Sequence, residues 1–379
     1  MSLAVLQKQL RPDENFVEYV VDAKESYAIQ VTSNKLAIHT LPGRSELNKM
    51  ARSFLAAVKS KSDSVSVARD LYQGLISPLA PQHLSRLILV PDGPLNLIPF
   101  GALVSDDKEY LDKQLTLSTV PSATVYVTLK TAASRSTASR PFLGVAYSPV
   151  SSVPLQTVSS SRGLADLRGG SPAPLQFARE EVAEAAESFG SNSVVLDGGN
   201  ASEAALKAEP LGDFRIIHIA AHGIGDETEP DRAALVLLPG SNEEDGLWQA
   251  REIRRSRLNA DIVVLSACET GTGRLQGEEG VMNLARAFLI AGARSVVASL
   301  WAVEDSSTAT LMGFFYNHFA AGLSVSESLQ QAQIDFIRGY KGKAQPYYWA
   351  GFEVIGDGTR RITLETSKLN PHATRTDLR

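Results

Sequence analysis

Between residues 177 and 360, short runs that are apolar at nearly every position alternate with longer stretches whose apolar residues recur at helical spacing. The runs at 193–197, 214–220, 261–267 and 294–300 read as strands; the stretches at 177–189, 202–209, 278–291, 306–320 and 325–338 read as helices. A strand that is apolar on both faces must be covered on both, and intervening helices supply the cover. The pattern therefore predicts an α/β fold with a doubly wound, mostly parallel sheet. Ligands of such sheets gather beyond the carboxyl ends of the strands. Two strand ends there carry reactive side chains: 214–220 runs into Ala221-His222-Gly223, and 261–267 runs into Cys268-Glu269-Thr270-Gly271.

The first third follows a different pattern. Three β-branched and aromatic runs at 16–21, 27–31 and 35–40 are separated by turn residues, which predicts an antiparallel meander. Segments 45–60 and 64–79 then carry apolar residues at helical spacing and are expected to cover it. Residues 87–100 place two apolar runs around Pro91-Asp92-Gly93-Pro94 and are expected to form a hairpin. Stretches 131–140 and 150–176 are rich in Ser, Pro, Gly and Thr and offer little apolar bulk to offset the entropy of ordering. The expected organisation is a smaller N-terminal β-meander and helical subdomain at 1–130, a flexible connection at 131–176, an α/β domain at 177–366 and a disordered polar tail at 367–379.

A formal charge of −5 and a pI near 5.8 argue against a nucleic-acid surface, which carries clustered Lys and Arg. One cysteine makes no internal disulfide, and no Cys/His spacing fits a zinc site, so the reading is a cytoplasmic protein with no metal and no cofactor. The N-terminal apolar region is too short for a secretory signal. The longest apolar stretch, 288–303, is interrupted by Arg294, so no membrane span is expected. The glycine cluster at 271–277 lacks the Gly-Lys-Ser/Thr of a phosphate loop, and the acidic loops 226–231 and 242–245 lack calcium-loop spacing.

A thiol becomes a strong nucleophile only as its thiolate, so Cys268 needs a base, and His222 is the candidate: if the two strands are neighbours, the side chains project into one crevice. Glycines beside both sites let backbone amides approach a carbonyl, which points to an oxyanion hole from the Gly223 and Cys268 N–H groups. Residues i and i+4 of a strand lie about 13 Å apart at ~3.3 Å per residue, so His218 is read as a buried, hydrogen-bonded side chain and not as a metal partner of His222. His39, His83, His318 and His372 have no motif around them and are read as structural or solvated.

Ala220-Ala221-His222-Gly223, Leu235-Val236-Leu237-Leu238, the segment 266–271 around Cys268 and the segment 298–305 ending at Asp305 together resemble a CHAT domain, a caspase-like module often joined to tetratricopeptide repeats. Segment 90–100, Ala178-Arg179-Glu180-Glu181 and segment 347–352 fit the same pattern, so the resemblance covers roughly 70–356. It implies an αβα sandwich and a cysteine endopeptidase of the caspase, separase and gingipain clan, with His222 as general base and Cys268 as nucleophile. The substrate would be a protein or peptide. By analogy with separases, Asp305 would favour a basic side chain before the scissile bond, with Glu269 on the rim of that subsite. The resemblance also implies a tetratricopeptide sensor as partner, and makes Arg162 and Arg168 candidates for self-cleavage. The other readings are a catalytically silent scaffold, a buried structural Cys268, and an Asp305 that merely caps a helix.

Overall fold

The computed structural model describes residues 1–80, 84–132, 137–147, 175–224, 229–241, 243–266, 280–340 and 344–362, without the side chains at 280 and 281. After a short helix α1 (Leu3–Gln7), strands β1 (Glu14–Val20), β2 (Glu25–Val31) and β3 (Leu36–Pro42) form the expected antiparallel meander. Helices α2 (Arg44–Lys59) and α3 (Val65–Leu75) follow and bury Leu47, Phe54, Val58, Leu71 and Leu75 against it. Strand β4 (Arg86–Val90) returns beside β1, in parallel, and β5 (Thr116–Thr119) lies beside β4.

The remaining elements are α4 (Ala123–Thr131), β6 (Arg140–Ala146), α5 (Ala178–Glu187), β7 (Val194–Asp197), α6 (Glu203–Ala208) and β8 (Phe214–Ala220). A small antiparallel sheet of β9 (Gly223–Ile224), β10 (Ala234–Val236) and β11 (Leu247–Gln249) leads into α7 (Ala250–Ile253). Then come β12 (Ile262–Leu265), α8 (Gly280–Ala291), β13 (Ser295–Ser299), α9 (Asp305–Ala320), α10 (Val325–Gly339), α11 (Pro346–Trp349) and β14 (Phe352–Gly356).

One sheet of eleven described strands joins the two ends of the chain, in the order β3-β2-β1-β4-β5-β14-β13-β12-β8-β6-β7. From β1 to β7 every neighbouring pair is parallel except β13 with β14. Strand β14 links the meander half to the α/β half. Because successive side chains alternate across a strand, β8 sends Ile216 and Ala220 into the core beneath α2, α3, α5, α9 and α10, and Ile217 and Ile219 into the opposite core beneath α6, α7 and α8. The result is a helix–sheet–helix sandwich. Among the described residues no helix is long and apolar enough to cross a membrane.

Two expectations are corrected. Only the first run of the 87–100 hairpin is a strand; Gly93–Leu97 and Phe100–Ala102 are single 3₁₀ turns. Both sides of β4 are already taken by β1 and β5, and Pro94 and Pro99 have no N–H to offer a ladder. The second correction lies inside the stretch read as a flexible connection, where Arg140–Ala146 is the strand β6, paired with β8 from Arg140 and with β7 from Leu143 to Ala146. Its apolar Phe142-Leu143-Gly144-Val145-Ala146 core was hidden by Ser- and Pro-rich flanks; residues 148–174, with Arg162 and Arg168, lie outside the described residues.

Candidate active site

His222 stands two residues past the end of β8, where the chain turns from the large sheet into β9. Its backbone is pinned at that corner: the Val236 N–H donates to the His222 carbonyl at 2.8 Å, and Gly223 is paired with Leu235 of β10. The side chain is buried, with 6% of its surface exposed. Strand β12 lies directly alongside, and its end is tied to β8 by the Ser266 N–H donating to the Ile219 carbonyl at 3.2 Å. Cys268 and Glu269 lie outside the described residues, as does the glycine cluster 271–277.

His218, one alternation pair earlier than Ala220 on the same face of β8, is fully buried and hydrogen-bonded, as the sequence led us to expect. Its Nδ1 lies 2.9 Å from the Tyr316 hydroxyl, and its Nε2 lies 2.9 Å from the Ser266 hydroxyl. Oε1 of Glu181 is also 2.9 Å from Nε2, as an ion-pair contact outside hydrogen-bonding direction. Burial and the charge of Glu181 raise the Tyr316 pKa well above its ordinary value, so the phenol stays protonated and can donate to Nδ1. That leaves the Nε2 proton facing Ser266 and Glu181. Both ring nitrogens are thus engaged by protein groups, which leaves His218 no lone pair for a metal.

Asp305 opens α9. Its Oδ2 accepts a hydrogen bond from the Phe177 N–H at 2.9 Å, so it caps the start of α5 across 128 positions of sequence and not its own helix. Burial raises its pKa above the ordinary value, and the Glu181 charge adds to this against the hydrogen bonds from the α5 backbone. Through α5, Asp305 and the Glu181–His218 contact belong to one connected body.

The other polar clusters have bland accounts. His39 bonds Gln30 and His318 bonds Asp335, each at 2.8 Å, while His83 and His372 lie outside the described residues. Glu203, Glu244 and Glu252 converge within metal-ligand reach, but the ammonium of Lys207 fills the space between them, at 2.7, 2.6 and 2.9 Å. A divalent ion has no room there. What sequence reasoning missed is the role of Glu181 and Tyr316: Glu181 lay inside the Ala178-Arg179-Glu180-Glu181 motif without an assigned function, and Tyr316 gave no local signal.

Residues 65–357 match the CHAT domain family. The chain belongs to that family. Its relatives include tetratricopeptide repeat protein 28 of Mus musculus and of Homo sapiens, each 26% identical over 350 residues covering 77% of this chain. The match spans only 13% of those long proteins. Among solved structures the CHAT fold resembles Saccharomyces cerevisiae separase, crystallised with securin, with a TM-score of 0.54 at 10% identity over 93% of this chain and 30% of that one. It also matches the Arg-specific cysteine proteinase gingipain R, with a TM-score of 0.48 at 10% identity over 84% and 76% of the two chains. Together with the sheet order, the family and the likeness to separase give this CHAT domain a caspase-like α/β fold.

Proposed function

We propose that this CHAT domain is a cysteine endopeptidase working through His222 and Cys268. The observation that carries the reading is strand register. Ile216 through Ile219 of β8 pair with Ile262 through Leu265 of β12 at a constant offset of 46 positions, and the same offset separates His222 from Cys268. Up to their last paired residues the two strands keep that offset side by side, which supports a meeting of His222 and Cys268 beyond the strand ends.

In the proposed reaction the imidazole of His222 takes the thiol proton, and the thiolate of Cys268 attacks the scissile carbonyl carbon. Backbone amides of Gly223 and Cys268 would hold the oxyanion. Collapse of the tetrahedral intermediate breaks the C–N bond, and the departing amine takes the proton from His222. Water then cleaves the thioester, returning the thiol and releasing the acid. Asp305, half-buried and raised in pKa by burial, is a carboxyl that a cation would favour, which supports it as a subsite for Arg or Lys before the scissile bond, with Glu269 as a further rim acid. The substrate would be a protein or peptide met in the cytoplasm, with activity controlled by a tetratricopeptide region or partner, in keeping with the repeat proteins among its relatives.

Peptide-library cleavage by the wild-type chain against Cys268→Ala tests the reading. Loss of all cleavage in the variant with an unchanged fold is expected. Cleavage that persists in Cys268→Ala overturns the mechanism. A Cys268 that reacts with iodoacetamide no faster than a free thiol at pH 7 instead favours the silent scaffold.

A further inference from the structure

Beneath the proposed site lies a buried polar group of four that the reaction does not use. His218, Glu181, Ser266 and Tyr316 are each at most 4% exposed, and they come from four different elements or their ends: β8, α5, the end of β12 and α9. Apolar side chains surround them. Phe142 and Tyr316 lie with ring centroids 6.3 and 5.5 Å from that of His218, and Phe189 packs on both. Taking an acid and an imidazole out of water is costly, and well-packed hydrophobic residues at the same positions often stabilise a core as much or more. A buried network that engages both nitrogens of one imidazole is worth its desolvation where it fixes a particular geometry.

The geometry it fixes is local. Between His218 and His222 the strand is held on both sides: the Ile219 carbonyl accepts from Ser266 N–H, and the Ala220 carbonyl accepts from the Tyr147 N–H at 3.0 Å. Residues 219–221 are fully buried. The end of β8 therefore has no slack, and rotation or slippage at His218 passes to the corner that carries His222. Ser266 ties the same imidazole to the end of β12, and Glu181 ties it to α5, whose preceding residue Phe177 is held through its amide by Asp305.

We propose that the Glu181–His218–Tyr316–Ser266 group is a positioning network, with His218 at its centre, that sets the placement of the His222 imidazole. The proposal rests on the reading of His222 as general base. None of the four residues touches substrate; each acts through the strand end.

The test uses Tyr316→Phe, which deletes one hydroxyl, with Glu181→Gln, and Ser266→Ala paired with Ser266→Thr. Each variant is measured for melting temperature, for peptide kcat and KM, and for the titration of the His222 ring by NMR, assigned with His222→Gln. The expected result is kcat lowered about 10- to 100-fold with KM within about threefold, the scale of loss that follows from a misplaced catalytic group. A shifted His222 titration should accompany it, and Ser266→Thr should recover what Ser266→Ala loses. Variants that lose stability while kcat/KM and the His222 titration stay at wild-type values would show a purely structural cluster and overturn the proposal. If the wild-type chain cleaves nothing even with a tetratricopeptide partner present, the peptidase reading fails by itself, and an unmoved His222 titration in Tyr316→Phe still overturns the network. Should Glu181→Gln fail to fold, Tyr316→Phe carries the decision.

Discussion

Gly144 of β6 and His218 of β8 are paired neighbours on one face of the sheet, and the absent side chain at Gly144 is what lets α5 approach His218. A Cβ built at Gly144 would overlap Cγ1 of Val182 and come within 2.8 Å of Phe142 Cε1. Val182 follows Glu181, so the helix that delivers the carboxylate sits as close as it does because position 144 is empty.

Gly144→Ala is accordingly expected to destabilise the fold by about 1–3 kcal/mol, the usual cost of overpacking a close contact. Urea denaturation measures it. In the double variant with Val182→Ala the loss should be smaller than the sum of the two single losses, because the smaller side chain returns the space. Additive losses would place the strain elsewhere.

The helix and strand pattern of 177–360 was legible because continuous apolar runs and helical spacing are local signals, and the spacing of His222 and Cys268 followed from the same runs. Four features were not legible. Strand β14 inserts antiparallel to β13 at the centre of the sheet, and nothing in Phe352–Gly356 states which strands it joins. Strand β6 sat between Ser- and Pro-rich flanks, whose composition outweighed five apolar residues. The His218 network joins Ser266 across 48 positions and Tyr316 across 98, so its members carry no mutual signal in sequence. The Phe177–Asp305 contact is of the same kind: helix capping was foreseen at Asp305, but a cap on a different helix is set only by tertiary packing.

Asp112 and Glu353 line one cavity between β5, β14 and α10. Burial pushes the pKa of Asp112 up to about 7, and burial with the charge of Asp112 pushes Glu353 up to about 8. The unfolded chain releases these protons near its ordinary carboxyl values of 3.8 and 4.5, so over the window from there to about 8 the folded state binds more protons than the unfolded one. Stability from this pair therefore falls as pH rises through that window. Glu353→Gln should raise the stability at pH 8.5 by on the order of 2 kcal/mol and leave it nearly unchanged at pH 4. Thermal melts across pH check this, and a parallel shift of wild type and variant at all pH values would contradict it.

Asp305 combines a structural contact with the proposed recognition of a basic residue, and two substitutions separate them. Asp305→Asn keeps an oxygen that can accept from the Phe177 N–H but removes the charge, so its melting temperature should stay near wild type while preference for Arg or Lys before the scissile bond disappears. Asp305→Ala removes both, and its added loss should be about 1 kcal/mol, the worth of a side-chain cap at a helix start. The measurements are a thermal melt and a peptide-library cleavage profile for each variant. If Asp305→Asn cleaves with an unaltered basic preference, recognition lies with another acid, and the carboxylate of Asp305 serves α5 alone.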